Sequence, residues 1–150
     1  MRWFLAFAFV AGSLLQASSA LSQEAIEAWV ENPGLIFEGS DVEPDSLIWR
    51  ARPLVVFADS PFDPQFRTQM EYIAERMEVL VERDVIVITD TDKETPSQWR
   101  EDLRPRGFML VVLDKDGRVI LRKPAPWHMR EISRSIDKST IRQQELEEAR

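Results

Sequence analysis

Leu54 to Ala58 is an unbroken apolar run, short enough for a strand and apolar enough to be buried on both faces. It ends in Asp59-Ser60-Pro61-Phe62-Asp63. From there Phe66, Met70, Ile73, Met77 and Leu80 recur at spacings of four and three. Asp63 as N-cap and Pro64 at the first helical position start a helix, and the spacing gives it one apolar stripe over about four turns. Its methionines suit an adaptable binding surface, but flanking strands favour packing on a sheet. Val85 to Ile88 is the second buried strand. Strand, helix and strand in this span make a parallel unit with a right-handed crossover.

The rest of the chain surrounds that unit. Ser22 to Glu31 reads as a short helix, with Ile26, Trp29 and Val30 on one face, and Asn32-Pro33-Gly34 stops it. Leu35-Ile36-Phe37 is a small apolar patch before a polar loop. Ser97 caps a short helix through Leu103. Arg104-Pro105-Arg106-Gly107 turns into a third strand, Phe108 to Leu113. Asp114-Lys115-Asp116-Gly117 is a hairpin turn with Gly117 at positive φ. A fourth strand, Val119 to Leu121, is bounded by Arg118, Arg122 and Lys123, as suits an exposed edge. Trp127 to Ile136 is a closing helix. Ser139 caps a last charged helix that has only Ile141 and Leu146 to bury and is expected to dock loosely or fray. The expected class is α/β, in the order β-α-β-α-β-β-α, with a four-stranded mixed sheet flanked by helices. That order, over residues 53–136, is the topology of the thioredoxin fold.

Composition closes several functional classes. The 150 residues carry a formal net charge of -7 and contain no cysteine and one histidine, His128. An acidic chain lacks the basic face that nucleic acid requires. Without cysteine there is no disulfide, thiolate chemistry or Cys-based metal site, and one histidine excludes a multi-His metal site within the chain. The acidic loops at Asp41-Glu43-Asp45 and Asp90-Asp92-Glu94 lack the glycine-turned repeat of a calcium loop. No cofactor or metal is expected.

Residues 1–20 read as a secretory signal. Arg2 precedes a mostly apolar Trp3–Leu15 segment, and Ser18 and Ala20 are small residues placed for cleavage after Ala20. The apolar run is shorter than a spanning helix requires, so no stable membrane insertion is expected after cleavage. The expected location is periplasmic or secreted. Residues 21–46 then form an N-terminal helix and loop extension, and residues 47–150 the main domain, with a helical tail over 139–150.

Several short blocks in order resemble an exported bacterial family called domain of unknown function 4174. They are Trp49 to Ala58, Ser60-Pro61, Asp63-Pro64, Gln69, Arg83 to Val87, Gly107-Phe108, Asp116-Gly117, Ile136-Asp137 and Arg142 to Glu145. The resemblance spans roughly residues 47–148 and implies a thioredoxin-like fold without implying an activity.

In thioredoxins the reactive sulfurs lie between the first strand and first helix. Here Ser60 and Asp63 stand at that place, and serine is not a redox group. The fold's proline before the third strand is replaced by Gly107-Phe108. Ser60 as a nucleophile would require a base, and His128 is the one histidine; the alternative role of Ser60 and Asp63 is a capping pair for the helix. Arg104 and Arg106, with N–H groups at the helix start, can hold an anion or carboxylate. The candidate ligand-binding residues are therefore Ser60, Asp63, Arg104, Arg106 and His128. The reading they support is a non-catalytic binding or structural module for an unidentified protein or small-molecule partner. The rival reading is an enzyme or oxidoreductase-related protein acting at Asp59–Asp63 without thiol chemistry.

Overall fold

The computed structural model describes residues 11–150, with side chains from residue 16. Five strands form its sheet: β1 (Ile36–Glu38), β2 (Arg52–Phe57), β3 (Val85–Asp90), β4 (Met109–Leu113) and β5 (Val119–Lys123). The helices are α1 (Ala11–Glu31), α2 (Pro64–Glu75), α3 (Met77–Val81), α4 (Gln98–Leu103), α5 (Met129–Asp137) and α6 (Thr140–Glu148). The spatial order is β1-β3-β2-β4-β5. β3 runs parallel to both β1 and β2, whereas β4 is antiparallel to β2 and β5 antiparallel to β4.

Because side chains alternate across a strand, the three central strands feed two cores. Val55, Phe57, Ile86, Ile88, Val111 and Leu113 face α1, α4 and the loop between β1 and β2, where they meet Ile26, Trp29, Leu47 and Trp99. Leu54, Val56, Val85, Val87, Leu110 and Val112 face α2, α3 and α5, where they meet Ile73, Leu80, Ile132 and Ile136. Burial on both faces explains why β2 reads as a continuous apolar run. The hairpin after β4 turns at Gly117, with φ of 84°.

Four sequence expectations change. The sheet has a fifth strand: Ile36 and Phe37, expected as a patch, lie in β1 opposite Val87 and Ile88. Three residues are too few to show an alternation. The long second helix is broken at Arg76, whose φ of -139° and ψ of 38° separate α2 from α3. The apolar period survives because Met77 and Leu80 still pack beside Ile73. Helix α1 starts well before Ser22, which is buried and accepts a hydrogen bond from the Glu43 N–H at 2.9 Å, so it is a tertiary anchor and not a cap. Residues 1–10 of the expected signal lie outside the described residues. Finally, α6 is tied down by charge: Glu145 pairs with Arg52 at 3.0 Å and with Lys115 at 2.8 Å, although no α6 side chain is buried.

Candidate functional site

The loop from β2 to α2 is organised by its own polar groups. The Ala58 N–H donates to the Asp90 carbonyl at 3.0 Å, continuing the sheet by one residue. The Ser60 hydroxyl accepts from the Phe62 N–H at 3.1 Å, and the Asp63 N–H donates to the Ser60 carbonyl at 3.2 Å. Asp63 alone is the N-cap of α2, its Oδ1 accepting from Gln65 at 2.8 Å and Phe66 at 3.4 Å. The expected Ser60–Asp63 capping pair is thus divided: Ser60 closes the preceding turn and Asp63 caps the helix. Pro64 has no N–H and the next two are taken by Asp63, so the start of α2 already holds its own carboxylate in the position where an external anion was expected. At the tip Phe62 is 83% exposed.

The remaining candidates lie apart in their contacts. Arg104 ends α4 in the left-handed region, with φ of 48°, and both it and Arg106 are exposed. Among the described residues neither guanidinium has an ion-pair partner. His128 begins α5, and its ring stacks on Tyr72 with centroids 4.2 Å apart and planes 30° from parallel. No hydrogen bond or ion pair joins His128 to Ser60, Asp59 or Asp63 among the described residues, so a nucleophile–base pair is not assembled.

Three residues outside the expected site set, Asp90, Arg100 and Gln69, organise the surroundings of this loop. Asp90, at the end of β3, is buried, with its Oδ1 held by Arg100 Nη2 at 2.8 Å and Nε at 3.0 Å. Its Oδ2 accepts from the Ser97 hydroxyl at 2.5 Å. Arg100 Nη2 also donates to the Ala58 carbonyl at 2.9 Å, so one guanidinium ties β3 and α4 to the root of the Asp59–Asp63 loop. Gln69, fully buried in α2, donates to the Trp127 carbonyl at 3.0 Å and accepts from the Trp127 N–H at 2.8 Å. That double bond pattern fixes the segment leading into His128. In the sequence Gln69 stands out only as one of the blocks shared with the family resemblance.

Among the described residues no cluster of three or more His, Asp or Glu side chains is placed to hold a metal ion. Asp92 is held below the usual carboxylate range by hydrogen bonds from the Glu94 and Thr95 N–H groups. No described helix is long and apolar enough to cross a membrane.

Comparison with known families gives one match of large extent: the model of a domain of unknown function (DUF4174) covers residues 43–145. Among solved structures, the reduced 2-Cys peroxiredoxin of Plasmodium vivax superposes with a TM-score of 0.51 at 17% sequence identity. The superposition covers 71% of this chain and 89% of that one. At that identity the likeness shows the fold, which is thioredoxin-like. A search of curated proteins finds no match.

Proposed function

Because the chain belongs to the family of domains of unknown function 4174, we propose that it works as an exported, thioredoxin-fold binding module that meets a protein partner through the β2–α2 loop. The observation that carries this reading is Phe62: a large aromatic residue left 83% exposed on a loop whose hydrogen bonds fix its shape. Buried aromatic anchors dominate binding energy when a partner covers them, and a pre-organised loop loses little entropy on binding. Arg104 and Arg106, without ion-pair partners among the described residues, lie on the segment leading to β4, whose Met109 pairs with Phe57 at the foot of the loop, and would supply positive charge to the rim of such a contact. A non-catalytic role is supported by the occupation of Ser60 and Asp63 in turn and cap bonds, and by the absence of cysteine from the chain.

Export accords with the exposure of the described side chains just before the expected cut. Ala17, Ser19 and Ala20 are exposed, whereas Ser22, Ala25, Ile26 and Trp29 are buried. Cleavage after Ala20 would leave that packing intact.

A photo-crosslinking amino acid placed at Phe62 in the native host tests the binding face, with Val30, 66% exposed, as control position. The reading expects one protein adduct at position 62, absent at position 30 and weakened by Arg104→Glu with Arg106→Glu. The same adducts at both positions, or none at 62, would overturn it. N-terminal sequencing of the exported chain should begin at Leu21.

A further inference from the structure

Between the end of α2 and the start of α5 lies a cleft of about 420 Å³, lined by Tyr72, Glu75, Arg76, His128, Arg130 and Glu131. The buried side chain of Met129 also lines it. The cleft makes no use of the β2–α2 loop, so it is independent of the reading above. We propose that it binds a small zwitterion carrying a flat ring, of the aromatic amino-acid class.

The first argument is the platform. The chain has one tyrosine and one histidine, and they are stacked on each other at 4.2 Å. His128 is exposed and Tyr72 partly buried, so the pair offers a π surface to a third ring at the distances offset stacking favours. Gln69 holds the backbone of Trp127 on both its N–H and its carbonyl, which fixes the approach to His128 before any ligand arrives.

The second argument is charge. The lining carries Arg76 and Arg130 against Glu75 and Glu131. A purely anionic or cationic ligand would leave one sign uncompensated, whereas a zwitterion matches both. Glu75 has no ion-pair partner among the described residues, so its carboxylate is available to an ammonium group. Arg130 meets Glu131 only at 3.8 Å, and the Arg76–Glu78 pair, at 2.8 Å, is more than half exposed on both sides. Exposed pairs of this kind are worth little, so either guanidinium can turn its planar fork to a ligand carboxylate.

The third argument is the break at Arg76. Its non-helical backbone interrupts α2 at the cleft wall, and Arg76 also lines an adjoining cleft of about 390 Å³ with Val79, Arg83 and Ser133. The first cleft lies within the range usual for small-molecule sites, about 300–1,000 Å³.

The sole histidine and sole tyrosine make the test direct, because their proton resonances in the full chain need no assignment. L-Tryptophan is titrated and compared with indole-3-propionate, which lacks the ammonium group, and tryptamine, which lacks the carboxylate. Saturable shifts of both His128 and Tyr72 are expected with tryptophan, with each analogue weaker by about tenfold, the scale of one lost charge-assisted hydrogen bond. Arg130→Gln should weaken tryptophan similarly, and Glu75→Gln should abolish its advantage over indole-3-propionate. The proposal is overturned if neither ring moves saturably, or if either analogue binds the native chain as tightly as tryptophan.

Discussion

Arg52, the first residue of the central strand β2, is fully buried and reaches Glu145 in the last helix at 3.0 Å. Its Nε donates to Asp114 Oδ1 at 2.9 Å, and its Nη1 to the Arg83 carbonyl at 2.9 Å. One guanidinium therefore joins the end of α3, the β4–β5 hairpin and α6. Removing it leaves the nearly buried Asp114 carboxylate short of a partner, and breaking a buried pair from one side costs about 3–5 kcal/mol. Arg52→Ala is expected to lose that much stability in urea unfolding, and Glu145→Gln distinctly less because Glu145 stays partly open to water. Equal losses would mean that α6 docking, and not the Arg52–Asp114 pair, dominates.

Acid should release α6 before it unfolds the sheet. Burial alone would push the Glu145 carboxyl up, but hydrogen bonds from Lys115 and Arg52, with their charges, hold it down to about 2. The same carboxyl in the unfolded chain takes its proton near 4.5. Between these values the unfolded chain binds the extra proton, so the stabilisation present above about pH 4.5 is lost progressively toward pH 2. Allowing for solvent screening at this partly open position, the loss is roughly 1–2 kcal/mol. Hydrogen exchange across 140–148 should accelerate through that window, and Glu145→Gln should remove the pH dependence. A flat profile in the native chain would contradict it.

These two cases mark the boundary of what the residues announce locally. The strands of the two cores and the Asp63, Ser97 and Ser139 caps are legible because apolar runs and N-cap chemistry lie within a few positions. The docking of α6 is not, since Arg52 lies 62 positions from Asp114 and 93 from Glu145. A charged helix with two apolar residues reads as loose until those partners are known. At the candidate site, the local roles of Ser60 and Asp63 were nearly recoverable from spacing. The stacking of His128 on Tyr72 and the grip of Arg100 on Ala58 were not, because each depends on how distant elements meet. Phe62 is illegible for a similar reason: an apolar residue in a loop carries no mark of its exposure.

The Arg100–Asp90 pair should govern the shape of the proposed binding loop. Both side chains are almost wholly buried, and Arg100 makes its bonds to Asp90 and Ala58 from one planar group. Lysine keeps the charge but loses the fork. Arg100→Lys is therefore expected to fold and to lose hydrogen-exchange protection at Ala58, whose N–H bonds to Asp90. Arg100→Ala, which strands a buried carboxylate, should cost about 3–5 kcal/mol in denaturant unfolding. Unchanged protection in Arg100→Lys would show that the Ala58–Asp90 backbone bond holds the loop root without help.

Trp49 is a different kind of strain. It has φ of 61°, in the left-handed region, while its side chain is 66% exposed. Its N–H donates to the Lys115 carbonyl at 2.7 Å, which holds the turn against the hairpin. A side chain with a Cβ in that region costs about 1–2 kcal/mol, and replacement by glycine returns roughly 0.5–1 kcal/mol of that as lost chain entropy. So little of the indole is buried that packing lost on truncation is small. Trp49→Gly is accordingly expected to leave stability unchanged or raise it by up to about 1 kcal/mol, read as a higher urea midpoint at constant slope. Trp49→Ala, which truncates the indole but keeps the strained Cβ, gains nothing from relief and should fall below the glycine variant. A glycine variant less stable than the native chain would show instead that the exposed indole contributes packing greater than the strain it imposes.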